Sequence, residues 1–155
     1  MTSLPHPNNI LQWNINGLRN KITQLQLLFS KYNPDAIALQ ETKLPANIEY
    51  SPKKYQSYYK NRTAHGGGVA IIVSENIPST RIELTTPLEA VAVKLFYQEQ
   101  TLTVCSYYQP DQNFPEDDFK NLVAQLPSPH LILGDYNSKS DRWGSPFTPN
   151  EDAAY

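Results

Sequence analysis

The sequence is poor in cysteine, histidine and net charge. Its single cysteine, Cys105, excludes a disulfide within the chain, lies in an apolar run typical of a buried residue, and fits a reducing compartment. The three histidines, His6, His65 and His130, are far apart, so no zinc site is indicated. The net charge of -2 argues against a strongly basic nucleic-acid binder, though not against an enzyme that contacts nucleic acid locally.

Long apolar segments are also missing. The clearest apolar run, Val69 to Val73, is too short to cross a membrane, and the N-terminus has no basic segment followed by an apolar stretch. We therefore expect an intracellular protein that is neither secreted nor associated with a membrane. With 39% hydrophobic residues and no repeat or linker, the chain predicts one globular domain over residues 10–155, after a loose lead-in at residues 1–9.

Apolar periodicity predicts strands and helices in mixed order. The predicted strands cover residues 10–13, 36–39, 69–73, 90–97, 101–107 and 131–133. One helix carries apolar residues at 18, 22, 25 and 29 and ends at Asn33-Pro34; the other opens at Phe114 with Pro115 at its first helical position. No helix is predicted between residues 69 and 107, which favours a layered α/β domain with a mixed sheet over a purely parallel one.

Polar residues of chemical interest follow several of these strands. They are Asn14, Asn16, Glu41, Tyr108, Asp135 and Asn137. Asp135 and Asn137 are two positions apart and would face the same side of an extended chain, although Gly134–Asn137 alone is also typical of a turn. Carboxylates suit Mg²⁺ or Mn²⁺, while Asn and Tyr can donate hydrogen bonds to phosphate oxygens. Convergence of these strand ends would create one site.

Five motifs in order carry a resemblance to a known family. They are Trp-Asn-Ile-Asn-Gly-Leu at 13–18, Leu-Gln-Glu-Thr-Lys-Leu at 39–44, Gly-Gly-Gly-Val-Ala at 66–70, Tyr-Gln-Pro at 108–110 and Gly-Asp-Tyr-Asn at 134–137. The set resembles the endonuclease/exonuclease/phosphatase superfamily, and most of all the apurinic-like endonuclease domain of LINE-type, non-LTR retrotransposons. The segment from Ser140 to Ser145 is similar to the jockey-like group. The resemblance implies a four-layer α/β sandwich of the DNase I-like kind.

The same resemblance implies a DNA-nicking phosphodiesterase that uses Mg²⁺ or Mn²⁺ and is fused to a reverse transcriptase. Glu41 would be the principal metal ligand, with Asn14 assisting at the metal or the phosphate. Tyr108 would stabilise the pentacoordinate phosphate, Asp135 would orient or deprotonate the attacking water, and Asn137 would bind the scissile phosphate. Further substrate contacts are expected from Asn16, Arg19, Lys139 and Arg142.

The sequence also departs from the family pattern. Members of the family carry a later Asp and a Ser-Asp-His, but no histidine follows His130 here, and Ser140 stands where jockey-like members have histidine. We therefore expect a sandwich that is incomplete at its C-terminus, with low activity by itself, an unpaired sheet edge and a tendency to aggregate. The alternatives are a catalytically dead remnant that acts as a binding module, and a phosphatase or lipid phosphodiesterase of the same superfamily.

Two other segments have open interpretations. Basic and aromatic residues alternate between Lys53 and Arg62, which could contact nucleic acid or could form an edge strand with solvated charges. Gly66-Gly67-Gly68 lacks the Gly-Lys-Ser/Thr of a phosphate-binding loop and predicts a close backbone approach at the start of a strand.

Overall fold

The computed structural model describes residues 4–62, 66–110 and 113–135. In order along the chain, these residues form β1 (Ile10–Asn14), a 3-10 helix (Arg19–Lys21), α1 (Ile22–Tyr32), β2 (Ala36–Gln40), β3 (Tyr55–Lys60), β4 (Val69–Ser74), β5 (Ser79–Ile82), β6 (Glu89–Phe96), β7 (Thr101–Tyr108), α2 (Glu116–Ala124) and β8 (His130–Asp135). Neither α1 nor α2, the α-helices of this part of the chain, is long and apolar enough to cross a membrane.

The strands form two four-stranded mixed sheets. The first sheet has the order β1-β2-β4-β3, and the second has the order β5-β6-β7-β8. Only β1 with β2 and β7 with β8 pair in parallel among the described strands. Each parallel pair is joined through a helix, α1 or α2, because a parallel connection must carry the chain back along the length of the sheet.

The two sheets face each other, and each helix covers one outer face. Ile71 and Val93 belong to the core between the sheets, Leu25 of α1 packs with Ile72, and Leu122 of α2 packs with Tyr107. Because side chains alternate along β4, its residues reach both the inner core and the core under α1, which explains its continuous apolar sequence. The layers are therefore helix, sheet, sheet, helix, as the resemblance implied.

A series of buried side-chain hydrogen bonds joins the two sheets near the ends of β1, β2 and β7. The Ser106 hydroxyl donates to the Leu39 carbonyl at 2.8 Å and accepts from Gln40 Nε2 at 3.1 Å. Gln40 Oε1 in turn accepts from Gln12 Nε2 at 2.6 Å. Ser106 and Gln40 are fully buried, so an unpaired partner would be costly, and the bonds hold β2 and β7 in one relative position.

The opposite end of the sandwich is held by Asp35. Its carboxylate accepts from the Tyr97 hydroxyl at 2.7 Å and from the Asn8 backbone N–H at 2.8 Å. The Pro5 carbonyl also accepts from the Gln98 N–H at 2.9 Å. The segment predicted as a loose lead-in is thus hydrogen-bonded, at residues 8 and 5, to the residue before β2 and to the turn after β6.

Some sequence predictions need correction. α2 begins at Glu116, because Pro115 is its N-cap and has ψ 76°, outside the helical range. The strand β5 was not predicted, and β3 was only one of two interpretations of residues 53–62, since both edge strands are rich in polar residues. Within residues 53–62, Tyr58 and Tyr59 are buried and Lys60 Nζ donates to the Leu88 carbonyl, which favours the edge-strand interpretation.

Cys105 lies within the second sheet, as its apolar surroundings predicted. It is fully buried beside Leu122 and Tyr107. Burial raises the pKa of its thiol to about 12, so the group stays protonated and unreactive at neutral pH.

Candidate active site

Asn14 joins the two sheets at the edge where β1, β2, β7 and β8 end. Its side-chain nitrogen donates to Glu41 Oε2 at 2.7 Å and to Asp135 Oδ2 at 2.8 Å. Its side-chain oxygen accepts from the Asn16 backbone N–H at 3.2 Å. One neutral amide therefore bridges two carboxylates that come from different sheets.

Asp135 reaches this position at the end of a strand and not in a turn. β8 continues through Gly134 to Asp135. Gly134 pairs with Tyr107 of β7, and Asp135 pairs with Tyr108. The turn interpretation of Gly134-Asp135 is thus wrong, because the parallel ladder with β7 extends over both residues. Asn137, Lys139 and Arg142 lie outside the residues that the structure describes.

Glu41 projects from a backbone in the left-handed region. Its φ is 53°, an uncommon value for a residue with a Cβ, and Lys43 has φ 55°. The Glu41 carbonyl accepts from the Gly17 N–H at 2.8 Å, which connects the turns after β1 and β2. Strained backbone of this kind persists only where neighbouring contacts hold it, and it concentrates at functional sites.

The triple-glycine turn supplies part of that support. The Gly68 and Gly67 carbonyls accept from the backbone N–H groups of Thr42 and Lys43 at 3.2 and 2.8 Å. A Cβ on Gly68 would lie 2.5 Å from Thr42 Oγ1, and one on Gly67 would lie 2.5 Å from Glu89 Oε1. These close approaches and the positive φ values of 63° at Gly67 and 90° at Gly68 favour glycine.

Glu89 anchors the other side of the glycine turn. One carboxylate oxygen accepts from the Gly68 N–H at 2.9 Å, and the other forms a close ion pair with Arg62. The hydrogen bond from the Gly68 N–H to Glu89 fixes the position of the glycine turn against the backbone that follows Glu41.

Tyr108 ends β7 between two acids. It pairs with Glu89 of β6 on one side and with Asp135 of β8 on the other. Burial raises the pKa of its hydroxyl, the charges of Glu41, Asp135 and Glu89 raise it further, and Arg62 acts in the opposite direction. The hydroxyl therefore stays protonated at neutral pH and can donate a hydrogen bond to an anion.

The two predicted substrate-binding residues near β1, Asn16 and Arg19, differ in whether they are connected to the carboxylates. Asn16 Oδ1 accepts from Lys43 Nζ at 2.5 Å, and the same ammonium lies 3.9 Å from Glu41 Oε1. Arg19 is an exposed residue of the 3-10 helix, and among the described residues it makes no hydrogen bond or ion pair with Asn14, Glu41 or Asp135. Asn16 is thus connected to the carboxylates and Arg19 is not.

Sequence inspection missed Lys43 and Glu89, and it named Arg62 as a possible nucleic-acid contact without placing it at this site. Lys43 follows Glu41 by two residues inside a recognised motif, which could have drawn attention to it. Arg62 and Glu89 are 27 residues apart and meet only because β3 ends and β6 begins beside the glycine turn. No spacing rule predicts that contact.

The donor atoms at this edge fit a hard divalent cation. No cluster of three or more His, Cys, Asp or Glu suited to a metal occurs in residues 4–62, 66–110 and 113–135. Glu41 and Asp135 nevertheless supply carboxylate oxygens around the amide of Asn14, and oxygen donors are what Mg²⁺ and Mn²⁺ prefer. Two carboxylates held together by a neutral group leave negative charge that a cation would offset.

Comparison with known proteins agrees with this geometry. The Endonuclease/Exonuclease/phosphatase family matches residues 11–154 of the chain. This span includes all the strands and helices described above except the first residue of β1. The chain belongs to this family. The family's span includes Asn14, Glu41, Tyr108 and Asp135.

Curated relatives come from mobile elements of Drosophila melanogaster. The chain is 30% identical over 139 residues to the RNA-directed DNA polymerase from mobile element jockey, and the match covers 86% of the chain and 15% of that protein. It is 24% identical over 148 residues to the probable RNA-directed DNA polymerase from transposon X-element, covering 90% of the chain and 16% of the relative. The recognised similarity to jockey-like retrotransposon proteins is confirmed, and the chain spans a small part of their length.

Solved structures share the fold. The endonuclease domain of TRAS1, a telomere-specific non-LTR retrotransposon, superposes with a TM-score of 0.69 at 20% identity, covering 96% of this chain and 65% of that one. The 3'-5' exonuclease NExo from Neisseria meningitidis superposes with a TM-score of 0.63 at 19% identity, covering 82% of this chain and 57% of its own. The DNase I-like sandwich predicted from the motifs is confirmed.

Proposed function

We propose that this chain is the DNA-nicking endonuclease domain of a non-LTR retrotransposon protein, a divalent-metal-dependent phosphodiesterase. The observation that carries the proposal is the bridge from Asn14 to Glu41 and Asp135, with Tyr108 beside Asp135. Phosphodiester hydrolysis requires a cation site, a carboxylate that orients and deprotonates water, and a neutral hydrogen-bond donor.

The cation would be held by Glu41 with Asn14, the latter through its amide oxygen. When bound, Mg²⁺ or Mn²⁺ would offset the negative charge that develops on the phosphoryl oxygens. Glu41 is suited to this role because its side chain is 22% exposed and close to Asn14.

The protein's own groups would carry the remaining steps. Asp135 orients a water molecule and accepts its proton as the water oxygen bonds to phosphorus and the bond to the leaving sugar oxygen breaks. Tyr108 stays protonated and donates to a phosphoryl oxygen. Asn137 is proposed to bind the scissile phosphate, and Asn16, Arg19, Lys139 and Arg142 to contact the flanking strand.

The proposed partners are DNA and a reverse transcriptase in the same polypeptide. The support is the similarity to RNA-directed DNA polymerases of mobile elements, of which the chain matches 15–16% of the length. We propose a nuclear or cytoplasmic location on the same basis.

A plasmid-nicking assay tests the proposal. Supercoiled DNA is incubated with the chain and Mg²⁺ or Mn²⁺, and conversion to the open circle is followed. We expect the chain by itself to nick DNA slowly, Glu41→Ala and Asp135→Ala to abolish that nicking, and Glu116→Ala, a control in the exposed ion pair with Lys120 on α2, to leave it unchanged.

Other outcomes would decide against the proposal. Nicking that survives both substitutions would show that another site or a contaminating nuclease is responsible. DNA affinity without nicking under any metal would favour a binding module, while release of phosphate from inositol phosphates or cleavage of sphingomyelin without nicking would favour the phosphatase or lipid phosphodiesterase alternative.

A further inference from the structure

Contacts with neighbouring residues hold the Arg62 side chain at the edge of the candidate active site. It follows β3 by two residues, and its guanidinium pairs with Glu89 at the start of β6. A Cβ on Gly67 would overlap the guanidinium, so the side chain lies directly against the glycine turn. Arg62 is therefore held on a surface that is itself fixed to the backbone after Glu41.

We propose that Arg62 binds a backbone phosphate of the nucleic acid, next to the phosphate that is cleaved. This inference rests on the proposed function, because it assumes that a DNA strand lies across Tyr108. The ligand class is a phosphodiester anion. The site is formed by Arg62, oriented by Glu89, on the side of Tyr108 that faces β6.

The electrostatics of the edge require such a cation. Glu41, Asp135 and Glu89 surround Tyr108, and their charges would repel a polyanion approaching the site. Arg62 opposes them: it lowers the pKa of Tyr108, and its own pKa is raised, first by the hydrogen bond to Glu89. Arg62 thus stays charged at any pH at which DNA would be bound.

The guanidinium also has donors to offer. It carries five N–H groups in a planar fork, and its side chain is 32% exposed. Because Glu89 and the glycine turn hold the side chain in place, little rotamer freedom is left to lose when a phosphate binds.

The neighbouring basic side chains, Lys60 and Arg81, donate to backbone carbonyls. Lys60 Nζ donates to the Leu88 carbonyl, and burial lowers its pKa. Arg81 Nη2 donates to the Tyr59 carbonyl at 2.8 Å, where it links the edges of the two sheets. Their contacts hold backbone carbonyls of the fold, whereas the Arg62 side chain remains 32% exposed beside its contact with Glu89 and acts on the charge environment of Tyr108.

The salt dependence of DNA binding tests this assignment. Binding of a short fluorescein-labelled duplex is followed by anisotropy in EDTA, at KCl concentrations from about 50 to about 250 mM, and log Kd is plotted against log salt. Losing one phosphate contact should reduce the slope by about 0.9 and weaken binding roughly tenfold. We expect this for Arg62→Gln, and no change for the control Lys31→Gln at the far end of α1.

Glu89→Gln separates binding from support of the fold. The glutamine oxygen can still accept from the Gly68 N–H, and Arg62 keeps its charge. We therefore expect the slope to be kept, because it counts phosphate contacts, even though Arg62 loses the ion pair that orients it. If Arg62 only stabilised the turn through Glu89, both variants would change the slope equally, and that result would overturn the inference. Should Arg62→Gln melt below the assay temperature, Arg62→Lys decides, since it must keep the slope and lose affinity.

The two proposals fail in different ways. A wild-type chain that nicks DNA, with Arg62→Gln showing the wild-type slope, overturns the assignment of Arg62 alone. A wild-type chain that neither binds the duplex nor nicks plasmid overturns both.

Discussion

The Asn14 side-chain nitrogen lies 2.8 Å from Asp135 Oδ2, although 121 residues separate the two in sequence. The contact joins the last residue of β1 to the last residue of β8, and therefore one sheet to the other. Asn14 donates to Glu41 as well, so one neutral amide holds the two carboxylates in place. This residue is the structural centre of the site as well as a candidate ligand.

Replacing Asn14 with aspartate should destabilise the metal-free protein. Asn14→Asp removes both donated hydrogen bonds and places a third carboxylate against Glu41 and Asp135. We expect the free energy of unfolding in EDTA to fall by about 2–3 kcal/mol, measured by urea denaturation. Adding Mg²⁺ should raise the melting temperature of the variant more than that of the wild type.

Asn16→Asp is the matched control for this change. It adds the same charge two residues away, where the new carboxylate can still accept from Lys43. Equal destabilisation by the two substitutions would contradict the bridging role of Asn14, because it would point to a general charge effect.

Tyr108→Phe should reduce nicking and leave binding largely intact. The substitution deletes one donor to the developing charge, a loss of about 10²–10³ in kcat, with little change in KM. Since the pKa of Tyr108 is raised, the ratio of wild-type to variant rates should stay constant from about pH 7 to about pH 9.5.

Tyr32→Phe, at the exposed end of α1, serves as the control for hydroxyl removal. A Tyr108→Phe rate within a factor of two of wild type would exclude the hydroxyl from catalysis. A wild-type rate that falls through a tyrosine ionisation below the ordinary pKa would contradict the raised pKa of Tyr108.

Two glycines with similar backbone angles should respond very differently to alanine. Gly68 has φ 90° and Gly17 has φ 101°, but a Cβ on Gly68 would meet Thr42 Oγ1 at 2.5 Å, while one on Gly17 would meet nothing within 4 Å. Gly17→Ala should cost about 1–2 kcal/mol for the left-handed backbone. Gly68→Ala should cost about 1–3 kcal/mol more, from overpacking.

Urea denaturation of both variants measures this difference, and nicking adds a second readout. Because the Gly68 turn supports the backbone after Glu41, Gly68→Ala should also lower activity at temperatures where the variant is folded. Equal unfolding free energies for the two variants would show that the turn can shift away from Thr42.

Tyr97 should make the protein sensitive to alkali. Its hydroxyl donates to Asp35, and burial, then this hydrogen bond and the charge of Asp35, raise its pKa. The folded state therefore keeps a proton that the unfolded chain loses above its ordinary value of about 10. The stabilisation is complete below that pH and is lost as the pH rises beyond it.

Tyr97→Phe tests this linkage. At neutral pH it should cost about 1–3 kcal/mol, because the buried Asp35 carboxylate loses a donor. Its free energy of unfolding should then fall less steeply than that of the wild type between about pH 9.5 and about pH 11. Parallel pH profiles for the two proteins would mean that another group governs alkaline unfolding.

The local elements were predictable where the sequence pattern matched the burial. β4 has both faces buried, so its uninterrupted apolar run marked it clearly. β3 and β5 lie at sheet edges, where polar residues are tolerated, and their sequences therefore resemble loops. The start of α2 was placed too early because Pro115 is compatible with both the N-cap and the first helical position.

The sequence by itself determined the four-layer fold, through the family resemblance that its ordered motifs carry, and it predicted one candidate site with Asn14, Glu41, Tyr108 and Asp135. Only the tertiary structure decided that Asn14 bridges the two carboxylates, and that Arg62 and Glu89 clamp the glycine turn beside Tyr108. Such contacts depend on how two sheets stack and where their edges meet. Those distances are set by packing across the whole core, and no local spacing in the chain encodes them.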